Sequence, residues 1–539
     1  MFNSIKESSE NNDKNEIILN SKYDTHHNPI DQVFNTESLL NEISKFITFE
    51  EKKIFYSINK KLNFFFRNAI NHITTKKIIM TPEIGKRFHN IKVLNLLSGW
   101  QTDLNFLRSP YYKNIESIKV EGDKYKDLSG IKELTSLQSL IMTGNNINDI
   151  SFINNLNRLT LLDLGNNKIN DLTPLKGLLF LKSLSLQGCG VTNLDILKDI
   201  NFKKLEKLYI GQNKLNDYSF LENLSNLHVL NVYQNRITNI SFINALNNDN
   251  LYEFNLGENF IKDYSPLFKF YKLKKLCLYH NYLNDIQFLK NKSFQNLEDI
   301  NLGFNTITDF NPLQNLKKLK KLNIYGCRIT NIDFLENNNF YKIEYLDLGN
   351  NRIKDCSVLS YFTHLKYLNL YNNQITNFYW LNNCKFNEKL EEFNCGKNPI
   401  ESFEYIETLK KLKTLNISTC NLYDISFLDS KIFYNLTKLN VANNNIEDVS
   451  LLINMKKLEE LNISYNRIKS LSFLNNNNSL IYDLNLAGNN IIDFTPLFKL
   501  EKLEVLNIKD IVLDGDKVIP FYLVIQKIEK NVRKIKTNF

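Results

Sequence analysis

Between Ile91 and Asp510 the apolar positions follow the pattern L-x-x-L-x-L-x-x-N-x-I-x-D-x-x-x-L, which returns about nineteen times. One clean copy runs Leu159-Thr-Leu-Leu162-Asp-Leu164-Gly-Asn-Asn167-Lys-Ile169-Asn-Asp171-Leu172-Thr-Pro-Leu175. A short period of this kind predicts a linear array, in which each unit buries its apolar side against the next. Alternation over Leu161 to Gly165 predicts a short strand. Leu162 and Leu164 then face the core, and Leu161, Asp163 and Gly165 face the other side. From Leu181 the spacing alternates near 24 and 22 residues, so the unit is a doublet of about 46. Shorter units carry Pro, as in Ser265-Pro266-Leu267, which favours a tight turn or helix start. The two extra residues of longer units, such as Gln287-Phe288-Leu289, leave room for one more turn.

Each strand is followed by Asn, as at Asn145, Asn167, Asn213, Asn235, Asn259, Asn281 and Asn305. An amide there can satisfy main-chain groups of neighbouring turns and form a ladder. Cys189, Cys327 and Cys420 take the same position, which predicts a structural role for them. Asp149, Asp171, Asp217 and their equivalents mark the next turn and can accept from nearby N–H groups.

The fold class that follows is α/β: a leucine-rich-repeat solenoid with a curved sheet, parallel strands and an open concave face, about nineteen repeats over 91–510. Residues 1–36 are polar and aperiodic and read as a disordered arm. Residues 37–90 carry apolar positions at helical spacing and predict a small helical module, a cap on the first repeat or a docking element. Residues 511–539 predict a helical C-terminal cap, with a helix from Val518 to Lys536 carrying Leu523, Ile525, Ile528, Val532 and Ile535 on its apolar side.

Composition narrows the function. Charged residues are 23% and hydrophobic ones 43%, ordinary for a water-exposed protein. The polar N-terminal 29 residues and the lack of a long apolar run predict a cytoplasmic protein with no membrane span, expected to be a monomer. Seven scattered cysteines form no disulfide framework. No phosphate-cradling loop, metal-ligand spacing or nucleophile elbow stands out, so no cofactor, no metal, no catalytic residue and no enzymatic activity are expected. Glu253, Glu298, Asp299, Glu344, Glu391 and Glu392 fall on one class of strand. Lys274, Lys275, Lys320, Lys321, Lys366 and Lys413 fall on the other. The two signs cancel, which argues against a nucleic-acid groove.

The concave face is the candidate site. Asn255, Asn301, Asn323 and Asn369 recur midway along its strands, and their amides are expected to bond one another. Two residues further on, Tyr233, Tyr279, Tyr325 and Tyr371 are 46 apart, between glycines such as Gly303 and Gly349. A ring beside glycine has room to lie flat or to receive a ligand. With Lys275 and Glu298 at the charged margin, these ten residues are the expected contact set for a protein partner.

The Asn-x-Ile-x-Asp-Ile-Ser-Phe/Pro-Leu core resembles the short-repeat class shared by internalins and SDS22-type phosphatase regulators, which implies a binding scaffold. An internalin-like adhesin and an SDS22-like regulator are therefore alternatives. A second resemblance lies before the repeats. Glu37-Ser-Leu-Leu-Asn-Glu-Ile43-Ser-Lys-Phe46-Ile47 and Ile58-Asn-Lys-Lys-Leu62 resemble an F-box, with Leu40 where that family has Pro and Leu62 where it has Trp. This resemblance implies a substrate adaptor of a ubiquitin ligase. Leu39, Leu40, Ile43, Phe46, Ile47, Ile58 and Leu62 would dock on a Skp1-type protein, and the repeats would hold the substrate.

Overall fold

A computed structural model describes residues 5–7, 17–20, 72–75, 80–87, 90–97, 103–511 and 518–537. Short interruptions fall at 123–124, 126, 247–249, 337–339, 341, 429–430, 476–479, 530–531 and 533. The chain divides into two units, Met1–Phe270 and Tyr271–Phe539. In the first, parallel strands follow in chain order from His72–Thr75 through Val93–Leu97 to Glu253–Asn255. In the second they run from Lys275–Cys277 to Lys534–Lys536. Each predicted repeat supplies one strand.

The middle residue of each strand faces the core, as the alternation requires. Leu162, Leu164, Leu276, Leu278, Leu346 and Leu348 are all at most 2% exposed. Each such side chain contributes roughly 1.5–3 kcal/mol of burial. Phe254, Phe270, Phe294, Phe340, Phe362, Phe378 and Phe393 fill the width of the array and are fully buried.

The return segments are 3-10 turns such as Thr173–Gly177, Ser265–Lys269 and Asn311–Asn315, each with Pro near its start. About five residues separate the Asp turn from the next core leucine. That is too short to nucleate an α-helix, so the tighter turn forms. Longer units hold a second turn, as in Gln287–Lys290 followed by Lys292–Phe294.

The Asn ladder is built in both units. Asn305 Oδ1 accepts from the N–H groups of Asn281 (2.9 Å) and Leu283 (3.0 Å), one turn back. Its Nδ2 donates to the carbonyls of Leu278 (2.9 Å) and Leu302 (2.8 Å). Cys327 takes the same place, its thiol donating to Leu302 O at 3.3 Å. The Asp turn is equally regular. Asp217 accepts from the Ser219 N–H (2.9 Å) and hydroxyl (2.7 Å), and Asp424 accepts from both groups of Ser426.

The flanks differ from the sequence pattern. His72–Thr75 is a strand that pairs in parallel with Val93–Leu97, so the ladder starts before Ile91. Within the stretch read as an arm, Ile17–Asn20 pairs antiparallel with His72–Thr75 and with Ile5–Glu7. Pro82–Arg87 is the helix described in the N-terminal module. At the other end the helix stops at Glu529, and Lys534–Lys536 becomes a strand against Val505–Asn507. That strand meets the peptide groups of the last repeat, with Lys534 N–H on Glu504 O at 2.9 Å. The helix buries Phe521, Val524, Ile525 and Ile528, whereas Leu523 is 61% exposed.

Candidate protein-binding face

Every strand turns one face to the core and leaves the other open. In the second unit the open face begins with a margin of charge one residue before each strand from Lys275–Cys277 to Thr414–Asn416. Lys274 and Lys320 lie 3.3 and 2.6 Å from Glu298, Lys366 lies 2.8 Å from Glu344, and Lys413 lies 2.7 Å from Glu391. The Lys320 ammonium, hydrogen bonded to Glu298, holds that carboxyl below the usual range. Glu298 is thus committed to its lysine neighbours. Lys275 stands one residue further on, in register with Asp299.

The next row is the asparagine strip. Its amides do not chiefly bond one another, as stacking had suggested. Asn301, Asn323 and Asn369 each accept the main-chain N–H two residues on, at 3.0, 2.9 and 3.0 Å. In the first unit Asn255 does the same for Gly257 at 3.0 Å. The local bond wins because it meets a peptide donor as the strand ends.

One strand breaks the strip. From Asp299–Asn301 to Val505–Asn507 each strand carries Asn at this position except Tyr345–Asp347. Asp347 is 7% exposed. It accepts the Gly349 N–H (3.0 Å), Asn369 Nδ2 (2.8 Å) and, at 3.4 Å, Asn323 Nδ2. Burial pushes its carboxyl pKa up, against the lowering by the Gly349 N–H and the Asn369 amide.

The third row holds the tyrosines. The Tyr325 ring lies over Gly349, where an added Cβ would sit 2.7 Å from it. Tyr279 meets Phe304 edge-on at 5.4 Å between ring centres, and Phe304 meets Tyr325 at 5.2 Å. His280 joins Tyr279 at 6.0 Å and Tyr282 at 5.1 Å. Tyr371 and Tyr279 both act electrostatically on the Tyr325 hydroxyl. Tyr279, Tyr325 and Tyr371 are therefore brought together in the second unit. Tyr233 belongs to the first, where its hydroxyl donates to the Glu258 carboxylate.

Phe304 and Tyr282, which the repeat pattern did not single out, and His280, a histidine the sequence places on or beside the concave strands, adjoin the tyrosine row. Phe304 (40% exposed), His280 and Tyr282 (60% exposed) occupy left-handed backbone, with φ of 54, 51 and 58°. The same left-handed turn recurs through the repeats, with Asn or Gly at the first of these positions in some, as at Asn350, Asn372 and Gly326, and Gln, Glu, Lys or Thr in others, as at Gln234, Glu258, Lys397 and Thr419. Tyr345 and Tyr367, in register on adjacent strands, stack at 4.0 Å and 7°. Two outward tyrosines 22 residues apart, and an Asp amid Asn, were the signals available in the sequence. The F-box-like positions Leu39, Leu40, Ile43, Phe46, Ile47, Ile58 and Leu62 lie outside the described residues.

Among the described residues there is no group of His, Cys, Asp and Glu suited to a metal ion, and no helix long and apolar enough to cross a membrane. Six of the seven cysteines are buried, and burial pushes thiol pKa values up, to about 11 at Cys189, Cys277 and Cys327.

Comparison with known proteins agrees on the repeat. A model described as "Leucine Rich repeats (2 copies)" matches residues 135–177, 203–248, 295–337, 341–383 and 434–476. No curated protein matches the sequence. Similar solved structures include an internalin of Listeria monocytogenes, with 24% identity over 75% of this chain and 89% of that one and a TM-score of 0.31. Another is the functional domain of InlJ from the same organism, which includes a cysteine ladder, with 22% identity, 70% and 75% coverage and a TM-score of 0.41. A leucine-rich-repeat protein of Leptospira interrogans gives 20% identity, 89% and 98% coverage and a TM-score of 0.36. The chain is built of leucine-rich repeats, an architecture that generally serves as a protein-interaction scaffold.

Proposed function

We propose that the chain is a non-enzymatic scaffold that grips a protein partner on the open sheet face of its second unit, between the strands Lys275–Cys277 and Glu392–Asn394. The observation that carries this is the aromatic belt of Tyr279, Phe304, Tyr325 and Tyr371 beside a polar floor of Asn301, Asn323 and Asn369. Rings of this kind are the side chains that dominate interface energies. Phe304 of this belt, and His280 and Tyr282 beside it, stand at the left-handed turn that recurs in the repeats, and the turn holds their rings out from the strand ends. A photo-crosslinking residue at position 325, compared with one at exposed Tyr361 on a 3-10 turn, tests the reading. The expected result is one recurrent partner at 325 alone, weakened roughly tenfold or more by Phe304→Ala. Equal labelling at both positions overturns it.

A second reading adds an adaptor role in a ubiquitin ligase. Its support is the F-box-like spacing of Leu39, Ile43, Phe46, Ile47 and Ile58 directly before the repeats. Titration of the full chain against a Skp1 homologue is expected to give saturable binding that Ile43→Asp abolishes. No binding reduces residues 37–90 to a cap and leaves the scaffold reading intact.

A further inference from the structure

The asparagine strip is interrupted beside the stacked pair Tyr345 and Tyr367. Asp347 sits on the open face between two pairs of tyrosines. Tyr345 and Tyr367 stack on one side, two residues before it and before Asn369. Tyr325 lies over Gly349 on the other, with Tyr371 on the strand beyond. The outward rows of a strand are about 7 Å apart along it. The carboxylate therefore lies at the floor of a short trough with aromatic sides.

The fold does not need a charge here. Asn caps the same strand position in every other copy from Asn301 onward, and Asp347 makes the same bond to the N–H two residues on. A carboxylate at this depth loses hydration and is left with two side-chain amides, one of them at 3.4 Å. What Asp supplies and Asn cannot is negative charge beneath π faces. Glu392, in register with Tyr367, and Asp299 add to the negative field on the stacked pair, and Lys321, in register with Tyr345 on the other side, offsets part of it. Ring faces and carboxylates together favour a cation and disfavour an anion.

We infer that the Asp347 trough is a subsite for one basic side chain, an arginine or lysine, of a partner protein bound on this face. The inference rests on the binding-face reading proposed above. A guanidinium fits it well, since it stacks on rings while donating to a carboxylate. The neighbouring Asn amides would hold the partner's main chain, and the belt at Tyr279 and Phe304 its apolar side chains.

The test uses the full chain and a displayed library of random twelve-residue peptides. The best binder is then synthesised with its basic residue intact and with citrulline in its place, which removes the charge and keeps the shape. The expected result is enrichment of Arg or Lys in the selected peptides. The arginine form should bind at least tenfold tighter than the citrulline form to the native protein, and less than twofold tighter to Asp347→Asn. That variant keeps the residue other strands use, so loss of folding does not confuse the result, and thermal unfolding verifies this. Peptides that are weakened by Phe304→Ala but bind equally with arginine or citrulline overturn the subsite and leave the face. Peptides indifferent to both Phe304→Ala and Asp347→Asn overturn the face and the subsite together.

Discussion

At the scale of single residues, the stability of this chain depends on amides that serve several main-chain groups at once. Asn305 satisfies two N–H groups of one turn and two carbonyls. Replacing it with Ala leaves buried peptide groups unpaired, at about 1–3 kcal/mol each. Asn305→Ala is expected to lower the urea midpoint markedly, by roughly 3 kcal/mol or more in free energy. Asn305→Cys should cost less, because Cys327 still donates from the same position. Asp347 behaves in the opposite sense. Its carboxyl pKa is raised in the folded state, so its contribution is favourable below the ordinary carboxylate value and is lost as pH rises through the folded value. Asp347→Asn is therefore expected to raise the melting temperature at pH 7, with the gain shrinking toward zero at pH 3. A gain that persists unchanged at pH 3 would show that the desolvation argument is wrong.

At the scale of the element, the repeating Asp turn ties the end of each strand to the 3-10 turn that follows. The carboxyl pKa values of Asp171, Asp217 and Asp424 are lowered, first by the Ser or Thr hydroxyl and then by the main-chain N–H. A depressed value means the opposite linkage: these turns stabilise the fold above the ordinary carboxylate pKa, and that stability is lost as pH falls through the lowered values. Acid unfolding should therefore begin below about pH 4 and flatten as Asp turns are replaced by Asn. The glycines of the third row set the attitude of the rings. Gly349→Ala places a Cβ 2.7 Å from the Tyr325 ring and 2.9 Å from Asn369 Nδ2. The ring must lift, at a cost of about 1 kcal/mol. Partner binding at position 325 is expected to fall several-fold while circular dichroism stays unchanged.

At the scale of the whole molecule, the Lys–Glu pairs add little to stability and most of the thiols are shielded. The Lys–Glu ladder from Lys274 to Lys413 is exposed, and such pairs are worth about 0–1 kcal/mol. Glu298→Gln should leave stability within that range, but it removes one step of an alternating margin and is expected to change the salt dependence of association. The cysteines are shielded, and six of the seven are buried. A thiol reagent at pH 8 is expected to label the native protein slowly and all seven thiols once it is unfolded. Rapid labelling of several thiols in the native state would mean that the repeats open locally. The flanks belong to this scale as well. His72–Thr75 and Lys534–Lys536 extend the sheets beyond the repeats because an uncovered strand edge leaves N–H and C=O groups without partners.

The sequence by itself determined the period, the strand positions, the inward leucines, the Asn ladder and the Asp turns. Each of these is a local rule repeated many times, so the pattern outweighs any single exception. It also placed Tyr279, Tyr325 and Tyr371 on one row, because strand alternation and a 46-residue spacing are enough to do so. Only the tertiary structure decided that the outward asparagines bond their own main chain, that Tyr345 and Tyr367 stack, and that Asp347 lies buried among rings. The last two depend on side-chain contacts between strands about 22 residues apart in sequence and about 4.8 Å apart in space, and the first on a competition between a local peptide donor and a neighbouring strand's amide that the repeat pattern does not rank. The same reason explains the flanks: whether a non-repeating segment becomes helix or strand depends on which peptide groups of the adjoining repeat still need partners.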